Sequence, residues 1–196
     1  MQRYRDRIEL WDVVNEALDE DGSLRESVWS EAMGMDFIDV AFRQARTSAP
    51  EATLLYNDYD IASQGPKSEG LLTLLRTLKA LGTPIDGVGF QLHVFASFDQ
   101  SDEVRAIFQQ VADLDLDIYI TEADVSLADD HTEFQQARIY EELLSVCLEQ
   151  PRCKAFQTWG FTDMYSWRRE FRPFLLDEAS QAKPAYFALQ SRLGGD

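Results

Sequence analysis

Two glutamates stand at places in this sequence where a carboxylate has to be accounted for. Glu16 lies in the run WDVVNEA and Glu122 in DIYITEAD. Each follows apolar and β-branched residues, the pattern of a buried strand. A buried strand does not carry a carboxylate unless something pairs with it or uses it. Two carboxyls facing one another could divide the work of glycoside hydrolysis with retention. One, protonated, gives its proton to the leaving oxygen; the other, ionised, attacks the sugar. Taken singly, each glutamate reads as a helix-start carboxylate beside the positive end of a helix dipole.

They do not stand singly. Asn15 precedes Glu16. Asn57, Asp58 and Tyr59 follow ATLLY, Gln91 and His93 close GVGFQLHV, Asp124 follows Glu122 by two, and Trp159 and Asp163 follow KAFQT. Side chains two apart on a strand share a face. Gln91 and His93 are so paired, as are Glu122 and Asp124. This parity lets His93 bridge Glu122 and Asp124, held in one tautomer between two carboxylates, and lets Gln91 reach Glu16. A satisfied core histidine is the other reading of His93. His131 sits in a polar stretch at a helix start and reads as solvated. Trp159, Trp167, Tyr59 and Tyr165 lie at or just past strand ends, where flat rings could stack on sugar rings; aromatic residues also fill cores.

The elements that must position these groups alternate along the chain. Strands are expected at 8–15, 52–57, 87–94, 117–124 and 154–160. Helices are expected between and after them, at 36–48, 69–81, from Ser101 as N-cap, at 132–149 and at 184–193. In 36–48 the apolar positions near helical spacing are Phe37, Val40, Ala41 and Ala45. In 69–81 they are Leu71, Leu74, Leu75 and Leu78, with Gly82 past the end. After Ser101 they are Val104, Ile107, Phe108 and Val111. Strand, helix, strand, helix from end to end implies a parallel sheet with helices outside it, in one domain over 1–196. In α/β barrels the carboxyl ends of the strands carry the active site, and the polar residues gather at those ends.

Composition sets outer limits. The chain has 196 residues, 45% hydrophobic and 12% aromatic, enough for a sizeable core. A formal net charge of -17 argues against nucleic acid or an anionic membrane as partner and fits a solvated acidic surface. No apolar run approaches the ~20 residues of a membrane span. The start, MQRYRDRIEL, has no apolar leader, so the expectation is a cytoplasmic protein or a true start further upstream. Two cysteines, Cys147 and Cys153, are too few for a disulfide framework or a four-cysteine zinc site.

WDVVNEA, LLYNDYD, IDGVGFQLHV, YITEADVS and WGFTDMYSW resemble, in order and spacing, the motifs of glycoside hydrolase family 10, and PFLLDEASQAKPAYFAL is similar to that family's last segment. The resemblance covers nearly the whole chain. It implies a (β/α)8 TIM barrel, here truncated to strands four to eight with their helices, and endo-1,4-β-xylanase activity on xylan or xylo-oligosaccharides. It implies no cofactor and no obligatory metal. Carried over residue by residue, it makes Glu16 the general acid/base, with a raised pKa, and Glu122 the charged nucleophile. Asn15 holds the 2-hydroxyl of the cleaved sugar, Gln91 contacts the acid/base, and His93 with Asp124 orients the nucleophile. Trp159 and Trp167 line the cleft, and Tyr59 lies toward the leaving-group side. It further implies a Cys147–Cys153 disulfide, hence an oxidising compartment and secretion; two reduced thiols are the other reading.

Ala123 stands where the family usually has a larger apolar residue and Phe161 where it usually has a smaller one. The family's first three strands, which supply much of the non-reducing-side sugar site, have no counterpart here. Two functions follow: a retaining endo-xylanase of which this is the C-terminal part, or a non-catalytic half-barrel with at most weak sugar binding. A half-barrel with two open sheet edges is also expected to self-associate through them.

Overall fold

The β-branched runs form strands and the leucine-spaced runs form helices. The computed structural model describes residues 1–128 and 130–194. The strands are β1 (Leu10–Asn15), β2 (Thr53–Tyr59), β3 (Gly87–Phe95), β4 (Asp117–Ser126) and β5 (Cys153–Thr158). The helices are α1 (Val28–Met33), α2 (Asp36–Ser48), α3 (Pro66–Ala80), α4 (Ser101–Ala112), α5 (Glu133–Glu149) and α6 (Pro184–Arg192). The five strands form one sheet in the order β1-β2-β3-β4-β5, every pair parallel. Strands in sequential order joined by right-handed crossovers place their helices on one face. The buried apolar cluster joins strand residues such as Leu54, Tyr56, Val88, Phe90, Ile118 and Ile120 to the helix stripes Leu71, Leu75, Val104, Phe108, Ile139 and Leu143.

The helices follow their local signals. Thr132 caps α5, its hydroxyl accepting from the Gln135 N–H while the Gln135 side chain accepts from the Thr132 N–H, a reciprocal cap. Gly82, past α3, has φ +65°, the left-handed turn that a residue without a Cβ takes at low cost. In α4 the buried stripe is Val104, Ile107, Phe108 and Val111 as its spacing predicts.

Three expectations need correction, and one helix had no expectation. Ser101 is the first residue of α4, not its cap; Gln100 holds that place, and no side chain caps the helix. The inner stripe of α2 is Ile38, Phe42 and Ala45, not Phe37, Val40 and Ala41. Those three turn toward a groove of about 510 Å³ beside β1. Helical periodicity locates an apolar stripe but does not say which neighbour covers it. Helix α1 has no apolar period long enough to announce it; it is set by Ser27, whose hydroxyl accepts from the Ser30 N–H. His131 is half-buried and accepts from the Ala128 N–H through Nδ1 at 3.3 Å, so it is not simply solvated.

Residues past β5 are tied down by buried polar anchors. Lys183 Nζ donates to Asp163 Oδ2 at 3.0 Å and to the Arg172 carbonyl at 2.7 Å. Asp163 Oδ1 accepts from the Phe174 N–H, and Tyr140 donates to the Pro173 carbonyl at 2.7 Å. Cys147, at the end of α5, and Cys153, opening β5, form a disulfide. These ties fix the segment that carries Trp159 and Trp167.

Candidate active site

The strand ends converge. Glu16 follows β1 directly with φ +55°, a left-handed conformation that costs a residue other than glycine about 1–2 kcal/mol. The Glu16 N–H donates to the Asn57 carbonyl at 2.8 Å, so the neighbouring strand holds the turn. Gln91, on β3, donates through Nε2 to Glu16 Oε1 at 3.2 Å and to Asn15 Oδ1 at 3.1 Å. Asn57, on β2, donates through Nδ2 to Asn15 Oδ1 at 2.8 Å and to Glu122 Oε1 at 3.0 Å. Glu16 and Glu122 are thereby joined by one continuous network through Gln91, Asn15 and Asn57. Asn15 enters it through its carbonyl oxygen, which leaves its NH₂ group for a ligand hydroxyl.

Asn57 was visible in the sequence only as a polar strand end. It uses both amide hydrogens as above, and its oxygen accepts from Thr121 Oγ1 at 2.6 Å. Gly89, on β3, admits it: a Cβ there would stand 2.2 Å from Asn57 Oδ1. The residue types gave no hint that the glycine serves this side chain.

The nucleophile candidate has its partners as parity predicted. His93 Nε2 lies 3.3 Å from Glu122 Oε2, and its Nδ1 lies 2.9 Å from Asp124 Oδ2. Burial opposes the imidazolium, but hydrogen bonds to Asp124 and Glu122 and their charges outweigh it, raising the His93 pKa from 6.5 to about 9. His93 is therefore a cation between two carboxylates at neutral pH. Trp167 Nε1 donates to the same Asp124 oxygen at 2.9 Å, and its ring meets His93 edge-on at 5.1 Å. Asp12, exposed on β1, is raised by desolvation from the groups packed around its carboxyl and then by the charge of Glu122, which places another acid inside the same field.

The remaining candidates divide. Trp159 and Trp167 are about half exposed, and the Arg168 guanidinium carbon lies over the Trp167 ring at 4.2 Å. Tyr165 is 82% exposed and makes no side-chain hydrogen bond to the network. Asp163 is an anchor for the tail rather than a cleft residue. Asp58 is buried beneath Tyr59, accepting from the Tyr56 hydroxyl at 2.5 Å and lying 3.1 Å from Lys67 Nζ. Tyr59 accepts from Arg25 Nη2 at 2.6 Å and donates to Glu20 Oε1 at 2.8 Å. Arg25 also donates to Glu16 Oε2 at 3.1 Å. Nothing in the sequence pointed to it: it lies in a polar loop with no periodicity and no motif. Among the described residues no group of three or more His, Cys, Asp or Glu is arranged to hold a metal ion.

Residues 1–192 match the family described as glycosyl hydrolase family 10. The chain is 36% identical to endo-1,4-β-xylanase B of Thermotoga neapolitana over 199 residues, covering 97% of this chain and 58% of that protein. The crystal structure of xylanase 10B from Thermotoga petrophila in complex with xylobiose superposes with a TM-score of 0.94 at 38% identity, over 98% of this chain and 62% of that one. The intracellular xylanase of Thermoanaerobacterium saccharolyticum, a glutamate-to-alanine mutant in complex with xylotriose, superposes with a TM-score of 0.87 at 36% identity, over 93% and 57%. A second glutamate-to-alanine mutant of it is a complex with xylotetraose. This chain thus spans about three-fifths of the length of these relatives, and its five strands are part of an α/β barrel.

Proposed function

The chain belongs to glycosyl hydrolase family 10, and on that premise we propose that it carries both catalytic carboxyls of a retaining endo-1,4-β-xylanase. The carrying observation is the network that joins Glu16 to Glu122 while giving each a different set of partners. Glu122 Oε2 faces the cationic His93 and its Oε1 accepts from Asn57, which fixes the direction of its carboxyl and aims it as a nucleophile. Glu16 is half-exposed at the strand end, where it can meet both a leaving group and water. In the first step the bond from C1 to the leaving oxygen breaks, a bond from C1 to a Glu122 oxygen forms, and the Glu16 proton passes to the leaving oxygen. In the second, water attacks C1, the ester to Glu122 breaks, and the water proton passes to Glu16. The two glutamates replaced in the Thermoanaerobacterium xylanase stand at nearly the separation of Glu16 and Glu122, which supports the pairing. The xylobiose complex of a relative supports xylo-oligosaccharide as substrate. The family resemblance supports Asn15 on the 2-hydroxyl, Trp159 and Trp167 around the cleaved sugar, and Tyr59 on the leaving-group side.

The test is made in the complete gene product. Glu122→Ala abolishes turnover on every substrate, because no ester can form. Glu16→Ala hurts poor leaving groups most, and azide partly restores turnover of an activated aryl xylobioside. Equal losses on good and poor leaving groups, with no azide effect, would remove the assignment. A non-catalytic half-barrel is the second reading, favoured by the open edges of β1 and β5; it requires that both variants match the wild type in sugar binding while none turns over xylan.

Secretion is proposed from the Cys147–Cys153 disulfide. The intracellular Thermoanaerobacterium relative makes a cytoplasmic location the competing reading. Thiol titration of the unfolded protein, taken separately from medium and cells, decides between them: blocked thiols in the medium support secretion, and free thiols confined to cells overturn it.

A further inference from the structure

Arg25 lies on the loop between β1 and α1 and is pinned from both ends. Its N–H donates to the Ala17 carbonyl at 2.8 Å, and its own carbonyl accepts from Ser30 Oγ. Its guanidinium reaches three partners: Glu16 Oε2 at 3.1 Å, Asp19 Oδ1 at 3.2 Å and the Tyr59 hydroxyl at 2.6 Å. Tyr59 is itself fixed. Its hydroxyl is held by Glu20, and the buried ammonium of Lys67 lies 3.2 Å from its ring centroid, a cation–π contact; the Arg25 guanidinium carbon lies 5.4 Å from the same centroid.

The donors on Glu16 are of one kind. Oε1 accepts from the Gln91 NH₂ and Oε2 from the Arg25 guanidinium, and neither donor can accept a proton in return. This arrangement complements a carboxylate, not a carboxylic acid. Glu16 is a carboxylate at one stage of the proposed cycle: after its proton has left with the leaving group and before it takes one from water.

We propose that Arg25 is a positioning residue for the second half-reaction, holding ionised Glu16 as the general base. The inference rests on the assignment of Glu16 as acid/base. The groups around Glu16 are Arg25 and, through it, Asp19 from the loop after β1; Tyr59 from β2; Gln91 from β3; and, through the amide network, Glu122 with His93. Arg25 is the cation in direct contact. Its loss removes a charge-assisted hydrogen bond from the base, read as a fall of about tenfold in the step it serves.

Arg25→Met, Arg25→Gln and Arg25→Lys are compared with wild type and Glu16→Ala in the complete gene product. The substrate is a dinitrophenyl xylobioside, whose departure needs no proton. For it, kcat reports ester breakdown and kcat/KM reports ester formation. Arg25→Met and Arg25→Gln are expected to lower kcat about tenfold, to move its acid limb to higher pH, and to hold kcat/KM within about twofold. Arg25→Lys keeps the acid limb in place. If the methionine variant does not fold, the glutamine variant decides. An unmoved acid limb, or equal falls in kcat and kcat/KM, would overturn the proposal. Glu16→Ala reports separately: if it lacks azide rescue, the acid/base reading itself fails, whatever Arg25 does.

Discussion

His93 is the residue on which the charge balance of the site turns. Its folded pKa, about 9, lies above the ordinary 6.5. The stabilisation from its two carboxylate contacts is therefore fully present below about pH 6.5 and lost as pH rises through 9. The urea midpoint of the wild type is expected to fall across that window, and His93→Asn to flatten the fall; a wild-type midpoint constant from pH 6.5 to 9 would contradict it. Gly89 offers a second check. A Cβ at 2.2 Å from Asn57 Oδ1 forces the amide out of its place between Asn15 and Glu122. Gly89→Ala is expected to cost about 1–3 kcal/mol and to lower kcat. Asn57→Ala should then cost less in the Gly89→Ala background than in the wild type. Additive costs in a double-mutant cycle would mean that the two do not act together.

At the scale of elements, the disulfide closes a short loop between α5 and β5. Replacing both cysteines by alanine should cost stability near the low end of about 2–4 kcal/mol, read from urea unfolding; an unchanged midpoint would contradict it. The strands and the long helices were legible because their apolar periods are intact, and the site was legible where it followed strand parity. Gln91 reaches Glu16, and His93 bridges Glu122 and Asp124, because residues two apart must share a face. The pairing of Cys147 with Cys153 came from the family resemblance instead. What escaped depends on contacts between elements. Arg25 reaches Glu16 and Tyr59 from a loop with no period. Asn57 spans three strands through a glycine. The outer face of α2 was misassigned because its cover is set by what lies beside β1.

For the whole molecule, among the described residues β1 and β5 each pair on one side only. The groove beside β1 is flanked by Trp29, 63% exposed. Unpaired parallel edges with apolar surface beside them favour association. A protein of residues 1–196 with nothing added is expected to dimerise or aggregate and to hydrolyse xylan poorly. Supplying the remaining barrel strands as a separate chain from the same enzyme is expected to restore activity; a fully active monomer by sedimentation and xylan assay would contradict this. The central claim is that Glu122 attacks the sugar while Glu16 manages the proton. It is tested most directly by treating the complete gene product with a 2-deoxy-2-fluoro xylobioside bearing a good leaving group, then mapping the adduct by peptide mass spectrometry. The account predicts one ester, on the peptide at Glu122, formed with loss of activity. No adduct together with release of inverted product, or an ester on any other residue, would contradict it.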